Sequence, residues 1–174
     1  MDIGVLLVRV VFGGLMAGHG AQKLFGWFGG YGLSGTGGFL QTLGYRPGRL
    51  FALLAGGSEL VGGLLLVLGI LGPVGPVLFI AVMVVAAGTV HLKNGLWAQN
   101  QGIELPLLYA LAGAALAFTG YGAYSLDRAL ALEALWSAVP AWATIAAGLA
   151  AGLGNLAIPA LTRGAAGDEQ PAQA

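Results

Sequence analysis

Five apolar runs, each near the length a helix needs to cross a bilayer, take up most of this chain. They cover about residues 3–22, 49–71, 74–92, 104–120 and 137–161. A hydrocarbon core about 30 Å thick takes roughly 20 helical residues. The second and third runs are parted only by Gly72 and Pro73, so they form a tight antiparallel hairpin. The fifth is rich in Ala and Gly and carries Pro140, Asn155 and Pro159, which weaken it as a span, although membrane helices tolerate such residues better than soluble ones. The expected fold is therefore all-α: an integral membrane helical bundle with four core transmembrane helices and a fifth C-terminal candidate. Almost nothing is left to stand outside the bilayer.

Composition agrees. Of the 174 residues 57% are apolar and 8% charged, against about 25% charged in an ordinary soluble domain. The 7 basic and 7 acidic side chains cancel, so no net field favours nucleic acid or a soluble acidic partner. Without a cysteine there is no disulfide, no thiolate metal site and no covalently attached haem, and any redox chemistry needs a bound cofactor. The first run lacks a basic leader and is broken by Arg9, so it is expected to be retained as a span.

Residues 1–122 are expected to form the four-helix bundle, and residues 123–162 a short interfacial helix followed by the fifth span. The short helix has Ser125 as its cap and Asp127 in its first turn. Residues 163–174 carry nothing to bury and are expected to be a disordered tail. Lys23, Arg46, Arg49, Lys93 and Arg163 fall on one side of this topology and Arg128 on the other. The positive-inside bias then places the N-terminus outside and the Lys23 loop in the cytoplasm of a cell bounded by this membrane.

That loop, residues 24–46, is long, rich in glycine and studded with Phe25, Trp27, Phe28, Tyr31, Phe39 and Tyr45, as suits the headgroup region. Gly30, Gly32 and Gly35 spell GxGxxG, but no strand precedes them and no βαβ unit follows, so they are not read as a dinucleotide site. A hinge leading into a short interfacial helix near residues 38–43 accounts for them.

The segments LVRVVFGGLMAGHGAQKLFGWFGGYGLSGTGGFLQTLGY, GGSELVGGLLLVLG, HLKNGLWAQNQGIELPLLYAL and GYGAYSLD resemble the DoxX family of small membrane proteins, over roughly residues 5–127. The resemblance implies a four-helix membrane bundle of bacterial cytoplasmic membranes. It also implies a role as a membrane subunit of redox assemblies such as thiosulfate:quinone oxidoreductases, acting with partner proteins. More distantly the chain resembles bundles that reduce vitamin K-type quinones through paired cysteines, a chemistry it lacks the residues to perform.

Ionisable groups inside spans are costly and few. His19, Gln22 and Lys23, at i, i+3 and i+4, share one face near the end of the first span. The third span ends on the same side at His91, followed by Asn94 and Trp97, and the fourth begins there with Glu104. These seven residues are the expected polar pocket at the membrane boundary. Its donors and tryptophan suit a quinone headgroup, the leading ligand class. Metal or haem held by the two histidines and Glu104 is the weaker reading, because the three share no short-range spacing. The plainer alternative is that these residues snorkel to the headgroups. Small pairs at Gly14 and Gly18, and at Gly148 and Gly152, allow close helix contacts, within the bundle or between copies of a homo-oligomer. Arg9 and Glu59, at similar depths on the first two spans, are expected to form a buried ion pair. Three classes of function stay open: a redox-associated subunit, a small solute or proton-linked transporter, and a non-catalytic scaffold or assembly factor.

Overall fold

The structure, a computed structural model, describes residues 2–167. Among these residues all the regular secondary structure is helical. The long helices are α1 (Asp2–Phe25), α3 (Gly48–Leu68), α4 (Val74–Ala86), α5 (Glu104–Thr119) and α8 (Ala141–Gly167). The short ones are α2 (Gly32–Thr42), α6 (Leu126–Ala129) and α7 (Glu133–Trp136). Past Ala86 the α4 backbone runs on through one π turn, Ala87–His91, and a 3-10 turn, Leu92–Asn94. Four stretches are long and apolar enough to span a bilayer: Asp2–Phe25, Gly48–Leu68, Val74–Asn94 and Ala141–Leu161. The chain is a multi-pass membrane bundle.

The fourth and fifth spans differ from expectation in an instructive way. The fifth run, with its prolines and asparagine, folds as the longest helix, 27 residues. The fourth is a helix of only 16 residues, about 24 Å of rise, and falls short of the hydrocarbon thickness by itself. Residues 163–167 of the expected tail continue the α8 helix, and residues 168–174 lie outside the described part. The interfacial helix expected over 125–136 is two single turns. Ser125 caps the first by accepting from the Arg128 amide at 3.2 Å, and Ala131, at φ 54°, breaks it from the second.

Helices α1, α3, α4 and α5 form a ring in that order, with the α1–α5 side the loosest, while α8 lies outside against α4 and α5. Van der Waals packing is what holds helices together in lipid, so backbones approach where side chains are smallest. At the α1–α3 crossing a Cβ on Gly20 would stand 2.4 Å from the Leu60 nitrogen, and one on Gly63 2.5 Å from the Ala17 nitrogen. Gly148 and Gly152 seat α8 on Ile80 and Val84 of α4, as their spacing predicts. Gly14 and Gly18 meet nothing within 4 Å and belong to the outward face. Gly20→Ala and Gly63→Ala should therefore each cost about 1–3 kcal/mol of stability. Gly14→Ala and Gly18→Ala should cost almost nothing. Thermal unfolding of the four variants in detergent reads the difference directly.

The same crossing overturns the Arg9–Glu59 pair. Gly13 sits against Gly63 and Val67, and Gly20 against Gly56 and Leu60. This antiparallel register puts Arg9 level with the end of α3 and Glu59 level with the far end of α1. The two are separated by seven to eight residues of α3, about 11 Å of helix rise. Arg9, 1% exposed, spends its donors on backbone carbonyls instead. Nε donates to Leu66 O at 2.9 Å, Nη2 to Val67 O at 2.8 Å, and Nη1 to Tyr121 O and Tyr124 O, each at 2.8 Å. The first two carbonyls lie in the last turn of α3, where Leu66 O also accepts from the Gly69 amide at 3.1 Å. Asp127 completes this knot from the other side, accepting from the Leu71 and Gly72 amides at 3.0 and 2.7 Å. The segment GYGAYSLD is thus the partner of Arg9 and of the α3–α4 turn.

Candidate functional site

Lys23 stands one turn past Gly20, where α1 and α3 are closest, and its stem follows the α3 surface inward. Its ammonium forms an ion pair with Glu59 Oε1. The Lys23 side chain is 34% exposed and that of Glu59 3%, so the lysine reaches from the boundary to a buried carboxylate rather than outward to the headgroups. The second carboxylate oxygen, Oε2, is buried and has no hydrogen-bond partner. Small residues around Glu59, namely Gly56, Gly62 and Gly63, are what make room for it at this depth.

Tyr109 of α5 lies near Glu59. Its ring is held by Phe12 of α1 at 5.5 Å and Phe79 of α4 at 6.1 Å, both measured between centroids. The His19 imidazole meets the same ring edge-on at 6.3 Å. His19 faces outward on α1, so this contact bridges the loose α1–α5 side and opens toward the bilayer. Nδ1 of His19 pairs with Gln22 Oε1 at 2.9 Å, and Gln22 Nε2 donates to Phe28 O at 3.2 Å. With the amide oriented by that second bond, Nδ1 carries the proton and Nε2 is left as an acceptor. The aromatic loop is thereby fastened to the site through Phe28, while the Phe28 ring itself is 75% exposed.

The remaining expected residues form a second group beside the first. The π turn carries His91 off the α4 register, and its Nδ1 bonds Gln101 O at 2.7 Å. Asn94 Nδ2 donates to the same carbonyl at 3.2 Å. Glu104 Oε2 accepts from the Ala98 amide at 2.8 Å, and the Glu104 amide donates to Leu96 O at 2.8 Å. Trp97 is 59% exposed on this loop. These bonds shape the 95–103 connection. No hydrogen bond or ion pair among the described residues joins this group to the His19, Gln22, Lys23 and Glu59 group. No three metal-ligating side chains gather among them either.

The structure thus brings Glu59 and Tyr109 to the centre of the site and leaves His91, Asn94, Trp97 and Glu104 on the 95–103 connection and the helix ends that flank it. Tyr109 was not singled out from the sequence. Its signal was a polar-tipped ring on an otherwise aliphatic helix, and the period of α5 alone does not say which face turns inward.

A family model described as DoxX matches residues 4–92 of the chain. That span holds α1 to the π turn, and with them the Lys23–Glu59 pair and Arg9. No curated protein and no solved structure matches the chain.

Proposed function

Because this chain belongs to the DoxX family of membrane proteins, we propose that it serves a redox assembly of the bacterial cytoplasmic membrane as a quinone-interacting subunit, taking electrons from a partner protein. The observation that carries the proposal is the bilayer-facing contact of His19 with Tyr109, backed by Glu59 with one oxygen unengaged. A quinone arrives through the lipid, so a site on the loose α1–α5 side can be entered sideways. The ring of such a ligand needs flat neighbours, and Tyr109 and Phe12 supply them.

The chemistry asked of these residues is proton handling. Reducing a quinone to its quinol takes two electrons, which the partner would supply, and two protons. Protonated His19 donates through Nε2 to a quinone carbonyl, and neutral His19 accepts at Nε2 from a quinol hydroxyl. One imidazole can therefore hold either redox state by gaining or losing one proton. The Lys23–Glu59 pair keeps a charged, hydrogen-bonding group within the bundle, where an isolated carboxylate would be costly. The transport reading receives less support. Arg9 and Asp127, the other buried charged residues among those described, are engaged with backbone groups at the far end and offer no further step across the bundle.

Purification in mild detergent from native membranes, followed by solvent extraction, tests the reading. Bound quinone should be recovered together with a co-purifying redox protein. His19→Ala should lower the bound quinone about tenfold, equivalent to about 1.4 kcal/mol, without lowering the yield of folded protein. Recovery of no quinone, or an unchanged amount in the variant, would reject the proposal.

A further inference from the structure

At the opposite end of the bundle from His19, a cavity of about 320 Å³ opens between the first turn of α4, the last turn of α5, the start of α8 and the α7 turn. Its volume falls within the range of about 300–1,000 Å³ that small-molecule sites occupy. Pro73, Pro76, Leu116 and Val139 give it apolar walls. Two of its lining residues carry buried polar atoms without a hydrogen-bond partner, the Trp136 Nε1 and the Tyr121 hydroxyl. An indole N–H can only donate. The Tyr121 hydroxyl lies against the Gly75 backbone, where a Cβ would stand 2.8 Å from it. Burial pushes the Tyr121 phenol well above its ordinary range, so it keeps its proton and remains a donor.

Both carboxylates of the lining are engaged. Both Asp127 oxygens take backbone amides, and Glu133 pairs with Arg128. No cation in the lining is available to an anion, and two carboxylates stand there to repel one. Unpaired donors, apolar walls and a lining without cations together select an uncharged ligand with a hydrogen-bond acceptor.

We propose that this cavity binds an uncharged, lipid-soluble molecule through a carbonyl oxygen, which accepts from the Trp136 indole and the Tyr121 hydroxyl. It is separate from the His19 site and does not depend on what that site binds. Trp136 is seated for the role by Gly72, which at φ 44° leaves no space for a Cβ: one placed there would lie 2.3 Å from the indole Cγ. At this end of the bundle the ester carbonyls of bilayer lipids lie at a similar depth, so the carbonyl can come from a lipid ester or from a free ketone.

Benzophenone, an apolar ketone that inserts into nearby C–H bonds on irradiation, is a direct probe. In the detergent-solubilised full chain, labelling should concentrate on the peptides holding Leu116 and Val139. Diphenylmethane, which has the same two rings and no carbonyl, should compete at least tenfold more weakly than unlabelled benzophenone. Trp136→Phe and Tyr121→Phe, compared at equal amounts of folded protein, should each reduce the labelling about three- to tenfold, the worth of one hydrogen bond. In nanodiscs, protection by ester-linked but not ether-linked lipids identifies a lipid ester as the occupant, and absence of protection by both identifies a free ketone. Labelling spread evenly over the spans, equal competition by diphenylmethane, or equal protection by ether-linked lipids would overturn the proposal. The competition and lipid arms use the unaltered chain, so they decide the matter even if a variant fails to fold.

Discussion

Arg9→Leu is expected to lower the thermal midpoint of the detergent-solubilised protein by roughly 10 °C. The guanidinium fastens three pieces of chain that are distant in sequence. It receives the end of α3 through the Leu66 and Val67 carbonyls, and the segment after α5 through those of Tyr121 and Tyr124. Leucine would leave four carbonyls without this donor in a place where water has little access. A stranded buried acceptor costs about 1–3 kcal/mol, and a loss on the order of 4 kcal/mol follows even if some find water. The loss also has an electrostatic part, because a cation at the C-terminal end of α3 opposes the partial negative charge there. The Tyr121 ring, 5.5 Å from Arg9 Cζ, and nearby Asp127 add to it. Arg9→Lys should recover little, since a single ammonium cannot reach carbonyls on both sides of α1. Combining Arg9→Leu with Glu59→Leu should give additive losses, because the residues share no partner. Recovery in the double variant would mean that the two charges answer each other after all.

The spans are legible in the sequence because bilayer thickness imposes a length and a polarity on each of them. That constraint acts on every residue and survives errors of a few positions. Arg9 shows where it stops. Its depth along α1 can be counted from the sequence, but its partner depends on the register between α1 and α3. That register is set by which small residues meet, Gly13 with Gly63 and Gly20 with Gly56. The more evident small pair, Gly14 and Gly18, lies one residue from Gly13 and two from Gly20, on the outward face, and a shift of one residue turns a helix by about 100°. A backbone carbonyl is also invisible in sequence as a partner for a buried cation. Tyr109 was missed for a related reason: every residue of α5 after Glu104 is apolar or nearly so, and nothing in the pattern marks its inner face. His19, Gln22 and Lys23 were found together because their i, i+3 and i+4 spacing lies within one helix and needs no knowledge of packing.

The Lys23–Glu59 pair should respond asymmetrically to loss of one partner or the other. Glu59 is 97% buried, 3% of its side chain being exposed, whereas Lys23 is 34% exposed and anchored only by its stem near the end of α1. Removing Glu59 frees a lysine that can swing toward the boundary and hydrate, as long basic side chains do. Glu59→Leu should therefore cost no more than about 1 kcal/mol beyond the packing change. Removing Lys23 leaves a carboxylate that cannot follow water outward, because Gly56, Gly62 and Gly63 hold it close against neighbouring backbone. Lys23→Met should then cost about 3–5 kcal/mol, the usual penalty for stranding a buried charge. Adding Glu59→Leu to Lys23→Met removes the stranded charge, and the double variant should be more stable than Lys23→Met alone. Thermal unfolding of the three variants in one detergent gives the whole cycle. Equal losses in the two single variants would show that Lys23 is as confined as Glu59. Greater loss from Glu59→Leu than from Lys23→Met would mean that the carboxylate supports more than the lysine, and Tyr109 would be the first group to examine as its second partner.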